Sequence, residues 1–250
     1  MREVRAEVHD PSTKQDQPLL RLLDTGVEAM NVLYLWSGKE ASGVAAWRKS
    51  GAKITTVGID EDADLTICKD IAEVTVEELE EYGPFNFIWA SPDCKVWSLA
   101  ALHMGHWEKR GSEFVPVTAR SIEMKARVLH TLDLIEALHP TYWVMENPYG
   151  ILRKMRFMQK YQHHLVSYCQ YGDTRMKPTD LWGRFPLTFY PKYCGYNKPC
   201  HEAAPRGTIA GTQALDWEDR ILIPYQLSKE IHDSCIESDG KTIPTLEDFI

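Results

Sequence analysis

The sequence predicts an α/β fold: a mostly parallel sheet with helices on both faces, followed by a small loop-rich insertion. Short apolar runs indicate strands at 31–36, 54–59, 85–90 and 142–146. Segments with helical spacing lie between them, at 40–50, 74–82 and 119–138. Because strands that alternate with helices usually pair in parallel, ligands are expected at the carboxyl ends of these strands.

The first two predicted strands end in residues suited to a nucleotide-like ligand. Gly38 follows the first strand, where a glycine lets the backbone approach a ligand closely and the next helix offers free N–H groups. Asp60 ends the second strand about twenty residues later, the spacing at which nucleotide-binding α/β folds hold a ribose. We therefore predict that Asp60 is a ribose ligand.

The third and fourth predicted strands lead to a thiol and a carboxylate. Cys94 lies in the loop after the third strand, where a nucleophile is accessible. Asp93 beside it should disfavour the thiolate by like-charge repulsion, so a compensating cation or hydrogen bond is expected, with Lys95 the nearest candidate. Glu146 follows four apolar residues. Burial of an unpartnered carboxylate there would be costly, which favours a substrate-facing role.

Two further helices are predicted with a defined apolar side. The segment 119–138 carries apolar residues near the helical period, at Ile122, Ala126, Leu129, Leu132, Ile135 and Leu138. A helix that begins near Pro224 carries Leu227, Ile231 and Cys235 on one side. Both are expected to cover the sheet.

Composition limits the class of protein. The 250 residues are 44% hydrophobic and 26% charged, as in ordinary globular proteins, and no apolar run reaches membrane-spanning length. The polar start, residues 1–17, lacks the apolar segment of a signal peptide, so we expect a cytoplasmic monomer without a membrane partner and with reduced cysteines. The net charge of −8 disfavours binding to DNA through the overall field. Basic residues are concentrated in the second half, which leaves room for a local basic face.

Taken in order, these segments resemble the DNA cytosine-5 methyltransferases, in particular their short phage-type members. Residues 31–38 resemble the family's cofactor loop, 94–98 its Cys-Gln-x-Phe-Ser loop, and 146–148 its Glu-Asn-Val segment. Two departures are that Tyr34 stands where the family has Asp, and Asp93 where it has Pro. The resemblance runs from about residue 31 to 182 and resumes near 220.

The resemblance implies a Rossmann-like S-adenosylmethionine-dependent methyltransferase fold and methylation of cytosine C5 in DNA. Cys94 would bond to C6 of a flipped base and Glu146 would contact N3, with Arg175 and Lys177 offering cations to a base oxygen or a phosphate. The residues that it implies for S-adenosylmethionine are Leu35, Trp36, Ser37, Gly38, Asp60, Asp70, Ile71 and Pro92, with Asp70 at the position that receives the adenine amino group.

Two other readings stay open at this point. One is a related C5 modification that uses another sulfonium donor or a free cytosine nucleotide. The other is a non-catalytic module that binds S-adenosylmethionine or DNA.

The predicted organisation has four parts: a flexible lead at 1–17, a catalytic and cofactor-binding domain at 18–182, a target-recognition insertion at 183–217, and a segment at 218–250 that packs back on the catalytic domain. The insertion is punctuated by Pro, Gly and Tyr and shows little periodicity. Because it is short, it should read few bases.

Three cysteines and a histidine near the insertion have the ligand types of a structural zinc site. Cys169 precedes the insertion, and Cys194, Cys200 and His201 lie within it. A loop-rich segment with a small apolar core would gain stability from a metal, although a Cys followed directly by a His is an awkward pair of ligands for one ion. Reduced cysteines without a metal are the alternative.

Overall fold

A computed structural model of the chain describes residues 29–195, 198–202 and 216–238. The predicted lead at 1–17, much of the second half of the insertion and the last part of the C-terminal segment lie outside these ranges. Within them the polypeptide forms a seven-stranded sheet, a two-stranded sheet and six α-helices.

The strands are β1 (Asn31–Leu35), β2 (Lys53–Gly58), β3 (Ile67–Cys68), β4 (Phe87–Ala90), β5 (Trp107–Arg110), β6 (Glu113–Pro116), β7 (Tyr142–Pro148), β8 (Gln162–Ser167) and β9 (Pro178–Arg184). The helices are α1 (Ala45–Lys49), α2 (Val76–Glu80), α3 (Ala100–His103), α4 (Ala119–Leu138), α5 (Trp217–Ile221) and α6 (Tyr225–Ser238).

The main sheet has the order β3-β2-β1-β4-β7-β9-β8. The first five strands in this order are parallel, and β9 runs antiparallel between β7 and β8. The predicted Rossmann-like, mostly parallel α/β fold is therefore confirmed. The order reverses at β1, which places β2 on one side and β4 on the other, and ligands of open α/β sheets bind at such a switch point.

Side-chain alternation along the strands builds two cores, one on each face of the sheet. Leu33 and Leu35 of β1 pack with α4 residues such as Val128, whereas Val32 and Tyr34 pack with α1 and α6. In a strand, successive side chains point to opposite faces, so a strand covered on both faces is apolar throughout. On α6 the predicted side, Leu227, Ile231 and Cys235, is buried against the second core.

The register of the sheet aligns the carboxyl ends of β1, β4 and β7. Leu35 pairs with Ala90, and Ala90 pairs with Met145. The next residues on the three strands, including Glu146, therefore face the same edge of the sheet.

The segment after β1 is less helical than predicted. A helix was expected over 40–50, but a loop and a short 3₁₀ turn (Ser42–Val44) lead to the five-residue α1. The hydroxyl of Ser228 on α6 bridges this segment, because it donates to the carbonyl of Gly43 at 3.0 Å and accepts from the N–H of Ala46 at 3.1 Å. Among the described residues, no helix has the length and apolar character needed to cross a bilayer.

Candidate active site

The loop after β1 lies against the end of β2. Trp36 adopts a left-handed backbone conformation, with φ 66°, and the N–H of Ser37 donates to the carbonyl of Val57 at 2.8 Å. A Cβ on Gly58 would lie 2.2 Å from the carbonyl oxygen of Ser37, so glycine is required there. Gly38 itself has open space around it. The loop therefore presents backbone to the edge of the sheet where ligands are expected.

Asp60 lies at the carboxyl end of β2, as the spacing predicted. Its Oδ1 accepts the N–H of Asp62 at 3.1 Å, and the carboxylate is half-buried. The neighbouring Ile59 is 70% exposed, which is unusual for an apolar side chain directly after a buried strand. A carboxylate beside an open apolar side chain suits a nucleoside, which has hydroxyl groups on one part and a flat ring on the other.

Side chains of α4 form hydrogen bonds with two of the segments that were predicted to bind the cofactor. The guanidinium of Arg127 donates to both oxygens of Asp70, at 3.0 Å to Oδ1 and 2.8 Å to Oδ2. One turn later the hydroxyl of Thr131 accepts from the indole N–H of Trp36 at 3.0 Å. The pKa of Asp70 is lowered, first by the Arg127 hydrogen bond, so its carboxylate is ionised. Ile71 beside it is buried.

The cysteine loop is fixed to β7 by backbone contacts. The side-chain amide of Asn147 donates to the carbonyl of Pro92 at 2.9 Å, and both residues are buried. Farther along, the N–H of Ile151 donates to the carbonyl of Trp97 at 2.6 Å. A Cβ on Gly150 would lie 2.1 Å from that carbonyl, so close backbone contact depends on glycine here as well. These contacts bring the loop that carries Cys94 against the end of β7, where Glu146 lies.

Cys94, Glu146 and Lys177 form an electrostatic group. The pKa of Cys94 is raised to about 11, first by burial and then by the charges of Glu146 and Asp93, while Lys177 opposes the rise. Burial lowers the pKa of Lys177, and the charges of Glu146 and Cys94 counteract that effect. The chain thus brings a thiol, a carboxyl group and an ammonium group together within mutual electrostatic range.

Glu146 is buried, with 6% of its surface exposed, and has a tyrosine partner. The hydroxyl of Tyr168 donates to its Oε1 at 2.8 Å. Burial raises the pKa of Glu146, while Lys177 and the Tyr168 hydrogen bond counteract the rise. The ammonium of Lys177 lies 4.4 Å from the centre of the Tyr168 ring and donates to the carbonyl of Arg220 at 2.9 Å. Tyr168 therefore links the carboxyl group to the cation.

Arg175 is placed differently from Lys177. Its guanidinium forms an ion pair with Asp173, donating through Nε to Oδ1 at 2.8 Å, and a further N–H donates to the carbonyl of Asp219 at 2.9 Å. Its charge is therefore compensated by a carboxylate two residues away. Of the two predicted cations, Lys177 is the one that acts electrostatically on both Cys94 and Glu146.

Sequence reasoning did not identify Tyr168 or Asn147 as site residues. Tyr168 lies on a 3₁₀ turn after β8, a strand whose existence was not predicted, so its approach to Glu146 had no sequence signal. Asn147 belongs to the quoted Glu-Asn-Pro segment, and its position next to Glu146 was the available signal.

Comparisons with known proteins support the resemblance. A protein of Frog virus 3 (isolate Goorha) named "Probable DNA (cytosine-5)-methyltransferase" is 28% identical over 175 residues, which cover 68% of this chain and 78% of the viral protein. The chain is therefore similar to a viral protein of that name over most of the length of both proteins. No protein-family model matches it.

A solved structure also aligns with the chain. It is described as a DNA modification methyltransferase encoded within an E. coli prophage, with 16% identity and a TM-score of 0.43. The alignment covers 62% of this chain and 46% of that chain, so the chain spans about half of its length. A match of this size carries no argument about function.

Asp93, which stands where the resembled family has Pro, has two partners in the structure. Oδ1 of Asp93 accepts the main-chain N–H of Lys95 at 2.9 Å, and Oδ2 lies 3.6 Å from the guanidinium of Arg120 on α4. The cation that lowers the pKa of Cys94 is Lys177, whereas the sequence had suggested Lys95.

The predicted metal ligands also come together. One ligand atom from each of Cys169, Cys194, Cys200 and His201 lies within 4.8 Å of all the others. Such a cluster could hold a zinc ion.

Proposed function

We propose that the chain is an S-adenosylmethionine-dependent methyltransferase that modifies C5 of cytosine in DNA through a covalent bond between Cys94 and C6. The observation that carries this proposal is the joint position of Cys94, Glu146 and Lys177 at the carboxyl edge of the sheet. A binding module without turnover would need neither a thiol nor a buried carboxyl group at this place.

The residues at the neighbouring strand ends fit S-adenosylmethionine. Asp60 would accept hydrogen bonds from the ribose, Ile59 offers an apolar surface for the adenine, and the loop from Leu35 to Gly38 offers main-chain groups to the methionine part. Asp70 would receive the adenine amino group, and Ile71 and Pro92 complete the predicted set. When bound, S-adenosylmethionine would supply an electrophilic methyl group.

The distribution of one proton decides whether Cys94 can attack. While Glu146 is ionised, its charge raises the pKa of the thiol. If the proton resides on Glu146 instead, the Cys94 thiolate faces the Lys177 ammonium without a competing carboxylate. Because Glu146 is buried and its pKa is raised, the protonated form that this arrangement requires is favoured relative to an exposed carboxyl group. The thiolate is the nucleophilic form of cysteine.

The same proton then assists the addition. The thiolate of Cys94 forms a bond to C6 while protonated Glu146 donates its proton to N3, so the electron pair of the C5–C6 double bond becomes available at C5. C5 would then take the methyl group from the sulfonium of the donor, whose sulfur keeps the electron pair of the broken S–C bond and leaves as a thioether. A base removes the C5 proton, the bond between Cys94 and C6 breaks, and the proton on N3 returns to Glu146. Attack on the face of the ring requires the base to leave the duplex stack.

The DNA contacts in this proposal come from the segments beside the site. Lys177 and Arg175 lie on the segment between Tyr168 and β9, where cations can reach a base oxygen or a phosphate. The insertion at 183–217 would contact the target sequence.

Nucleoside mass spectrometry tests the activity. Purified protein is incubated with S-adenosylmethionine carrying a labelled methyl group and with either duplex DNA or dCTP, and the nucleosides are then analysed. Labelled 5-methylcytosine from DNA supports the proposal. Label in dCTP alone would assign the free nucleotide as acceptor, and absence of label in both would refute the activity.

A trapped adduct tests the mechanism. DNA that contains 5-fluorocytosine has no C5 proton to remove, so a covalent protein–DNA complex should persist in denaturant when S-adenosylmethionine is present. Cys94→Ala should abolish it, whereas Cys68→Ala, which removes an exposed thiol elsewhere, should retain it. Glu146→Gln should slow its formation, and Glu113→Gln, at an exposed carboxyl group, should not. Methylation by the Cys94→Ala protein would exclude the proposed nucleophile.

A further inference from the structure

Four potential ligand atoms converge to within a few tenths of an ångström to about one ångström of the separations in a tetrahedral metal centre. The sulfur of Cys169 is 3.2 Å from that of Cys194 and 3.9 Å from that of Cys200. Nδ1 of His201 is 3.5 Å from the sulfur of Cys194 and 3.6 Å from that of Cys200. Zinc binds thiolates at about 2.3 Å and imidazole nitrogen at about 2.0–2.1 Å, so tetrahedral geometry requires roughly 3.8 Å between sulfurs and roughly 3.5 Å between sulfur and nitrogen.

The backbone supports these positions from outside the cluster. Cys194 is held by Ser167, whose hydroxyl accepts the N–H of Cys194 at 3.1 Å. The N–H of Glu202, next to His201, donates to the carbonyl of Thr174 at 2.9 Å. The conformation at Cys200 and His201 turns both side chains to the same point, which removes the difficulty of two adjacent ligands.

The thiols also receive a hydrogen bond expected around a metal-bound sulfur. The side-chain amide of Gln170 donates to the sulfur of Cys200 at 3.3 Å and lies 3.8 Å from that of Cys169. Donors around the ligands of a metal fix their orientation and stabilise their charge.

The region has little apolar core of its own. Its buried cluster consists of Cys169, Met176 and Cys194, so two of its three members are potential ligands. Cys200 is exposed, so apolar burial does not explain why it approaches the other sulfurs. A disulfide between Cys169 and Cys194 would leave the convergence of Cys200 and His201 without a cause. A metal accounts for all four positions.

We propose that Cys169, Cys194, Cys200 and His201 bind one structural zinc ion that fastens the described part of the insertion to the turn after β8. All four positions are taken by protein, so the ion would have no open coordination site and would not take part in catalysis. Its role would be to hold Cys194, Cys200 and His201 against the turn after β8.

The site has a consequence for the active site that rests on the proposed function. Cys169 follows Tyr168 directly, and Tyr168 donates to Glu146. A zinc ion that fixes Cys169 would therefore also fix the tyrosine that contacts the active-site carboxyl group.

Metal analysis of protein prepared without a histidine tag tests the site independently of any methyltransferase activity. Elemental mass spectrometry after extensive dialysis should find about one zinc per chain. Cys200→Ser and His201→Ala should each reduce this content by more than half, because each removes one ligand. Cys68→Ser, the same cysteine substitution on an exposed strand outside the cluster, should retain it.

Cobalt substitution reports the ligands in the unmodified chain, so the test does not depend on the folding of variants. Cobalt(II) should give the intense visible absorption of a tetrahedral ion with thiolate charge-transfer bands at one equivalent, and zinc should displace it. Metal-free protein with all thiols reactive, a disulfide between Cys169 and Cys194 found by peptide mapping, or full zinc content in both ligand variants would overturn the proposal.

Discussion

Removal of the Tyr168 hydroxyl should move the pH dependence of the reaction to higher pH. The hydrogen bond at 2.8 Å stabilises the ionised form of Glu146, because the hydroxyl donates to Oε1 and counteracts the rise in pKa caused by burial. Without it, the carboxylate loses a partner in a buried position. The protonated carboxyl group, which can rotate and donate, loses much less.

The size of the effect follows from the energy of that bond. Hydrogen bonds to charged groups contribute about 1.5–3 kcal/mol, and each 1.36 kcal/mol changes the ratio of ionised to protonated carboxyl groups about tenfold. In the proposed mechanism protonated Glu146 is the active form, so activity falls as pH rises through its pKa. In Tyr168→Phe this alkaline limb of kcat should therefore move up by about one to two pH units.

The assay is the rate of methyl transfer to DNA at saturating substrates over a series of pH values. Tyr161→Phe is the matched control, because the Tyr161 hydroxyl donates to Glu136, a carboxylate on the surface. The free energy of unfolding gives a second readout. The decrease in the free energy of unfolding caused by Tyr168→Phe should be complete above the pKa of Glu146. It should become smaller as the pH falls below that pKa. An alkaline limb that stays in place, or one that moves equally in Tyr161→Phe, would refute the role assigned to the Tyr168–Glu146 bond.

Three other predictions concern the cofactor edge and the insertion. Asp60→Ala should weaken S-adenosylmethionine binding by about 1–3 kcal/mol in a calorimetric titration, since it removes a ribose hydrogen bond. Asp62→Ala should change the affinity little, and equal affinity in the two variants would exclude Asp60 from the site. Gly58→Ala should lower the melting temperature by several degrees, because its Cβ would lie 2.2 Å from a carbonyl oxygen, while Gly38→Ala, which meets open space, should stay close to the parent. Bisulfite sequencing of methylated DNA should show a short or relaxed context if the insertion at 183–217 reads few bases, and a long strict recognition sequence would contradict this.

The predicted strands β1, β2, β4 and β7 agree with the structure because their residues are mostly apolar or β-branched. β9 gave no such signal, since it begins with Pro178 and contains an acidic residue and a glycine in its interior. The acidic residue, Asp180, is fully buried but lies 2.9 Å from His163 and 3.3 Å from Arg153. The glycine, Gly183, is required because a Cβ there would lie 1.9 Å from the carbonyl oxygen of Trp143. Both features depend on residues remote in sequence.

Helix α4 shows that apolar periodicity alone does not predict which side of a helix is buried. Its bounds agree with the prediction, but Ile122 is 54% exposed and the buried side includes Ser121 and Thr131. Ser121 is buried because it forms a capping box with Thr118, and the Thr131 hydroxyl donates to the carbonyl of Arg127 at 2.8 Å. Local hydrogen bonds thus allow polar residues to take core positions. The candidate site was easier to predict than the buried side of α4. Its residues follow strands, and the sheet topology brings the strand ends together. Tyr168 alone depended on a strand that was not predicted.

The Ser228 bridge has a consequence for the order in which the protein assembles during synthesis. The segment that follows β1 is among the first described parts of the chain to leave the ribosome, yet it is tied by hydrogen bonds at Gly43 and Ala46 to a helix about 180 residues later. Contacts of such long sequence separation form late in folding. A nascent chain would therefore carry Cys94 and Glu146 on completed strands before the loop beside them acquired its final shape. Methyl-donor binding should appear only after α6 has been released, and arrested chains of increasing length would show that step.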